Sequence, residues 1–95
     1  MKIHPKVLTA FVGYLKNSGH GINEKNGCLV MRRGVKDAII DCRVEENITV
    51  NDYGYRLYMT FMHRWLNEGK RFLSKMQQLG LMIVSRVKGR NYIDC

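Results

Sequence analysis

Apolar residues recur at helical spacing near both ends of the chain, and between them lie short apolar runs bounded by turn residues. This helix–strand–helix order suits few architectures besides α+β. Val7, Leu8, Phe11, Val12 and Leu15 form one stripe, so a helix is expected over residues 5–17. Pro5 suits its first position, where a missing N–H costs nothing, and Lys16-Asn17-Ser18-Gly19 reads as its stop. Residues 20–27 read as a polar loop. Cys28-Leu29-Val30-Met31 reads as a strand and Arg33-Gly34 as a turn. Residues 35–44 fit either a helix face (Val35, Ala38, Ile39, Cys42) or a strand paired with 28–32; the flanking turns favour the hairpin. Glu45-Glu46-Asn47 breaks the run, Ile48-Thr49-Val50 extends the sheet, and Asn51-Asp52 can cap a helix.

Leu57, Phe61, Trp65 and Leu66, widened by Met62, then mark a helix over 53–66. After Asn67-Glu68-Gly69 a second amphipathic run covers 70–79 and stops at Gly80. Leu81-Met82-Ile83-Val84 starts a strand, Lys88-Gly89 turns it, and Asn91-Tyr92-Ile93 returns, so a C-terminal β-hairpin is expected over 81–94. The expectation is a small α+β domain with an N-terminal helix, central short strands, two amphipathic helices and that hairpin.

Ninety-five residues suffice for one domain, 1–95, and not for two. The apolar fraction of 45% supports a modest core. No apolar run approaches the roughly 18 residues that a membrane span needs. The first residues are not followed by the uninterrupted apolar block of a signal peptide. The three cysteines, Cys28, Cys42 and Cys95, form no C-x-x-C pair. They read as reduced thiols in a cytoplasmic protein rather than a disulfide framework. With His4, His20 and His63 they are too scattered for a zinc site, so no metal or other cofactor is expected.

The net charge of +8 is unevenly spread. Residues 1–53 hold eight Lys/Arg against six Asp/Glu; residues 54–95 hold eight against Glu68 and Asp94 alone. The basic part, 53–95, is thus the end expected to meet a polyanion, nucleic acid first. On a helix over 70–79, Phe72, Leu73, Met76 and Leu79 share one arc. Lys70, Arg71, Ser74, Lys75, Gln77 and Gln78 fill the other, with no acid among them. Arg and Lys can reach phosphate or guanine there, and Gln can pair with adenine. Arg86, Lys88 and Arg90 would crowd the tip of the following hairpin, where they would meet backbone phosphate.

From residue 53 onward the order helix, turn, helix, Leu79-Gly80-Leu81, strand, basic turn, strand resembles a winged helix-turn-helix DNA-binding domain. The resemblance implies that helix 70–79 enters the major groove of duplex DNA and that hairpin 81–94 is the wing on the flanking backbone. It covers the C-terminal half only; residues 28–50 are richer in strand than a plain winged helix. A similar ending occurs in LAGLIDADG homing endonucleases, whose acidic helix motif and length are absent here.

The functional expectation is a DNA-binding regulator or accessory factor without catalysis, alone or as a homodimer. The alternative is a protein-binding module that modulates a nucleic-acid enzyme by setting its basic face against an acidic protein partner. A third reading is a small metal-dependent nuclease. Asp37, Asp41 and Glu45 could share a face and hold Mg²⁺, and His20 and His63 could move protons. None of these has the spacing of a motif, and solvated acids on a charged hairpin explain them as well. Tyr53, Tyr55, Tyr58, Tyr92 and Trp65 could stack on single-stranded bases. Their helical spacing with Leu57 and Phe61 points instead to core packing for Trp65 and some of the tyrosines.

Overall fold

The computed structural model describes residues 1–88, the last six by backbone alone. The chain opens with strand β1 (Lys2–Ile3) and a 3-10 turn over Pro5–Val7. His4 starts that turn, its Nδ1 accepting the Lys6 N–H at 3.1 Å. Helix α1 (Leu8–Asn17) follows and stops at Ser18 and Gly19, the latter at φ +88°. Apart from Thr9, every residue of α1 from Leu8 to Leu15 is buried. A helix buried on all sides must be covered on all sides. The sheet takes part of its surface and the other two helices take the rest.

Residues 20–27, expected to be a loop, contain strand β2 (Gly21–Lys25). It pairs antiparallel with β3 (Cys28–Arg33) through a tight turn at Asn26-Gly27, both at positive φ, +53° and +80°. Two such residues make the turn whose twist matches a hairpin. A second turn at Gly34-Val35 leads into β4 (Lys36–Asp41), so the ambiguous segment 35–44 is strand over 36–41 and nowhere helix. With β5 (Ile48–Val50) the sheet has five antiparallel strands in the order β1-β5-β4-β3-β2. Alternation sends Leu29, Met31, Ala38, Ile40, Ile48 and Val50 into the core, all buried. Cys28, Val30, Arg32, Asp37, Ile39 and Asp41 take the other face. Cys28 and Cys42 are both thiols, the first half-buried and the second buried.

Helix α2 (Asp52–Glu68) starts where Asn51 caps it, its Oδ1 accepting the Gly54 N–H at 2.9 Å. The same side chain accepts the Ile39 N–H and donates to the Asp37 carbonyl, which ties the helix start to β4. Phe61 is fully buried and sits amid the rings of Phe11, Tyr14, Tyr58, Trp65 and Phe72. Trp65 and Tyr58 are therefore part of the packing. Gly69, at φ +76°, is the whole turn into helix α3 (Lys70–Lys88).

Helix α3 corrects the expectation for the C-terminus. Gly80 does not end the helix, and residues 81–84 are helical rather than the first strand of a hairpin. Residues 85–88 continue the helix as well, and the remainder of the expected hairpin, 89–94 with Gly89 and Arg90, lies outside the described residues. Gly80 is used for contact: a Cβ there would run into the carbonyl oxygen of Thr9, and one on Gly13 would run into that of Met76. The two helices cross backbone to backbone, and Lys16 Nζ reaches over to the Leu79 carbonyl at 2.6 Å. No described helix is long and apolar enough to cross a membrane.

Candidate nucleic-acid interface

The α3 side turned to the protein is set by Phe72 and Met76, both buried, with Leu73 and Leu79 half-buried beside them. This leaves Lys70, Arg71, Ser74, Lys75 and Gln78 exposed and Gln77 half-buried. The helix thus displays the six polar residues that its sequence pattern singles out, and none of them is an acid. Arg86 and Lys88 belong to the same helix instead of a hairpin tip.

The fold adds residues to this surface that the linear pattern does not show. A groove of about 210 Å³ runs between α2 and α3 at the end of α1, lined by Asn17, Arg64, Glu68, Arg71, Lys75 and the ring of Phe72. The Arg64 guanidinium lies over that ring, 4.8 Å from its centroid. Its Nε and Nη2 donate to the two Glu68 carboxylate oxygens at 2.7 and 3.2 Å. This pairing holds the Glu68 carboxyl below its ordinary range. Arg64 is thereby oriented, and the one acid of the groove is already engaged. In the sequence, Arg64–Glu68 shows only as an i,i+4 pair on α2; its position beside Arg71 and Lys75 depends on the α2–α3 turn.

The other candidate groups are used in other ways. Asp37 and Asp41 are each bound by an arginine, Arg32 and Arg43, and their carboxyls lie below the ordinary range as a result. Among the described residues, no three His, Cys, Asp or Glu side chains gather to hold a metal ion. His20 is buried, its Nδ1 against the Leu15 carbonyl at 3.1 Å and its Nε2 against the Tyr53 hydroxyl at 3.0 Å. Burial lowers its pKa, so it is held as a neutral ring. His63 is exposed on α2 beside Asn67. Burial and the neighbouring Asp41 push the Cys28 thiol up, away from nucleophilic reactivity.

Comparison of the chain with protein families, with curated proteins and with solved structures finds no match.

Proposed function

We propose that the protein binds duplex nucleic acid, DNA in particular, through the exposed face of α3, without catalysis. The observation that carries this reading is an acid-free row of Lys70, Arg71 and Lys75 beside a braced Arg64. Lysines and arginines neutralise phosphates and release their counterions, and this supplies most sequence-independent affinity. Gln77 and Gln78 add groups able to meet base edges. The reading keeps from the winged-helix resemblance the role of helix 70–79 as the groove-facing element and does not require a wing. The test is a salt titration of duplex binding by the wild type and by the Lys70→Ala, Arg71→Ala, Lys75→Ala triple variant. The slope of log affinity against log salt should flatten by about one unit for each phosphate that is no longer neutralised. An unchanged slope and affinity remove α3 as the contact face.

Exposed apolar groups favour one second reading. Leu81 and Met82 follow the basic row on α3 and are 38% and 59% exposed. A basic face continued by apolar side chains also suits an acidic protein surface, such as that of a nucleic-acid enzyme. Salt-sensitive binding to such a protein, with no affinity for duplex, would select this reading.

A further inference from the structure

The sheet offers a surface quite separate from α3. Its core-facing side chains meet the helices, while no described element covers the opposite face of β2, β3 and β4. That face forms a shallow groove of about 680 Å³. Its floor is the cross-strand pair Val30 and Ile39, the latter 41% exposed. An arginine stands toward each end of the floor, Arg32 and Arg43.

Both arginines are gripped side-on. Arg32 donates through Nε and Nη2 to the two oxygens of Asp37 at 2.7 and 3.1 Å. Arg43 does the same to Asp41 at 3.0 and 2.7 Å. Two parallel bonds fix the plane of a guanidinium, so less side-chain entropy is lost when it meets a ligand. They also occupy the carboxylates. The donors left in the lining are the unused guanidinium N–H groups and the Lys25 ammonium, with the Asn23 amide offering both a donor and an acceptor. Donors outnumber free acceptors on this face, and its centre is apolar.

We infer that the open sheet face reads base edges in the major groove of duplex DNA, with Arg32 and Arg43 each placed to meet a guanine. The major groove admits β-strands, here β3 and β4 with β2 beside them, and there guanine presents two acceptors to an arginine and thymine presents a methyl group. Val30 and Ile39 are the apolar partners for such a methyl. Single-stranded nucleic acid is the poorer match, because the groove lining contains no aromatic ring on which a base could stack. The register sets a spacing. Arg32 lies opposite Asp37, and Asp41, which holds Arg43, lies opposite Cys28, four positions along β3. At about 3.4 Å per residue this is roughly 14 Å, or about four base-pair steps. Val30 and Ile39 fall midway. The preferred site therefore carries two guanines about four base pairs apart with thymine between them.

The experiment is selection from duplexes with a randomised core, using the full chain, followed by affinity measurements on the enriched and a scrambled duplex. The wild type should enrich the spaced guanines. The Arg32→Gln, Arg43→Gln variant should lose about tenfold or more of its preference for the enriched duplex over the scrambled one. Arg32→Lys keeps the charge without the fork, so it should lose discrimination while retaining binding to the scrambled duplex. Thermal unfolding checks that both variants fold. The helices lie on the other side of the sheet, so the α3 triple variant should keep the full preference whatever its loss of overall affinity, and failure of the α3 reading and failure of this one are distinguishable. A wild type that enriches no sequence overturns the inference, as does a double variant that keeps the full preference. Either result leaves the open face to another class of partner, such as a protein.

Discussion

The two long sides of α3 obey opposite rules. Toward α1 the helix is pressed backbone to backbone at Gly13 and Gly80, where even a methyl group has no room. Toward solvent it carries Lys70, Arg71, Ser74, Lys75 and Gln78, whose side chains can be exchanged with little consequence for packing. One side specifies the fold, and the other is available for function. Substitutions on the first should act on stability, and on the second on binding.

The largest effect should come from the crossing. Gly13→Val places a branched side chain against the Met76 carbonyl in a contact that the backbone itself makes, so α3 must move off α1. Overpacking a core usually costs about 1–3 kcal/mol, and a clash with backbone belongs at or above the top of that range. Urea unfolding should show this loss for Gly13→Val, with Gly80→Val similar. Near-native stability in both would mean that the helices do not cross at these residues. Next comes the joint between α2 and the sheet. Asn51→Ala removes the cap and both bonds to β4, and leaves the Ile39 N–H without that acceptor. The expected loss is about 1–2 kcal/mol. A smaller loss than that of an average cap would show that solvent replaces these bonds.

A third effect depends on pH and lies away from both sides of α3. Burial lowers the pKa of His20, so the folded protein binds its proton less readily than the unfolded chain does. The stability from the neutral ring is complete above the unfolded value of about 6.5. It is lost progressively as the pH falls from there through the lower folded value. Thermal midpoints measured across this window should drop more steeply for the wild type than for His20→Gln. Parallel curves would show that the ring accepts a proton without cost.

These contrasts show what can be read from the chain alone. The helix at 5–17, the pairing of 28–32 with 35–44, the Asn51 cap and the apolar stripe of α3 all follow from local pattern, because each buried face repeats at the period of its element. β2 does not follow from pattern. It is an edge strand with Ile22 alone half-buried, so its polar sequence lacks apolar alternation; only Asn26-Gly27 announces the hairpin. Gly80 misleads for a different reason. A glycine after an amphipathic run is a sound stop signal, and what overrides it is Gly13, almost seventy residues away in sequence, which offers α3 a surface to lie on. The α3 face is legible as a charge pattern, whereas the place of Arg64 in its groove requires the tertiary structure.

The smallest expected change in stability gives the sharpest test of the solvent side. Glu68 is half-exposed, and its removal should leave the thermal midpoint nearly unchanged, because exposed ion pairs contribute little. The direction of its effect on binding separates two accounts of the groove. If the groove attracts phosphate by net charge, Glu68→Gln removes the one acid beside Arg64, Arg71 and Lys75; affinity for duplex should rise a few-fold and the salt slope should steepen. If orientation of Arg64 over Phe72 matters more, the amide no longer holds the guanidinium as a carboxylate does, and affinity should fall although the protein has become more positive. We expect the rise, since Phe72 still supports the guanidinium and a phosphate would take the place of the carboxylate. Unchanged affinity at low salt, where surface charge acts most strongly, would put the groove outside the contact surface and leave the row along α3 to act without it.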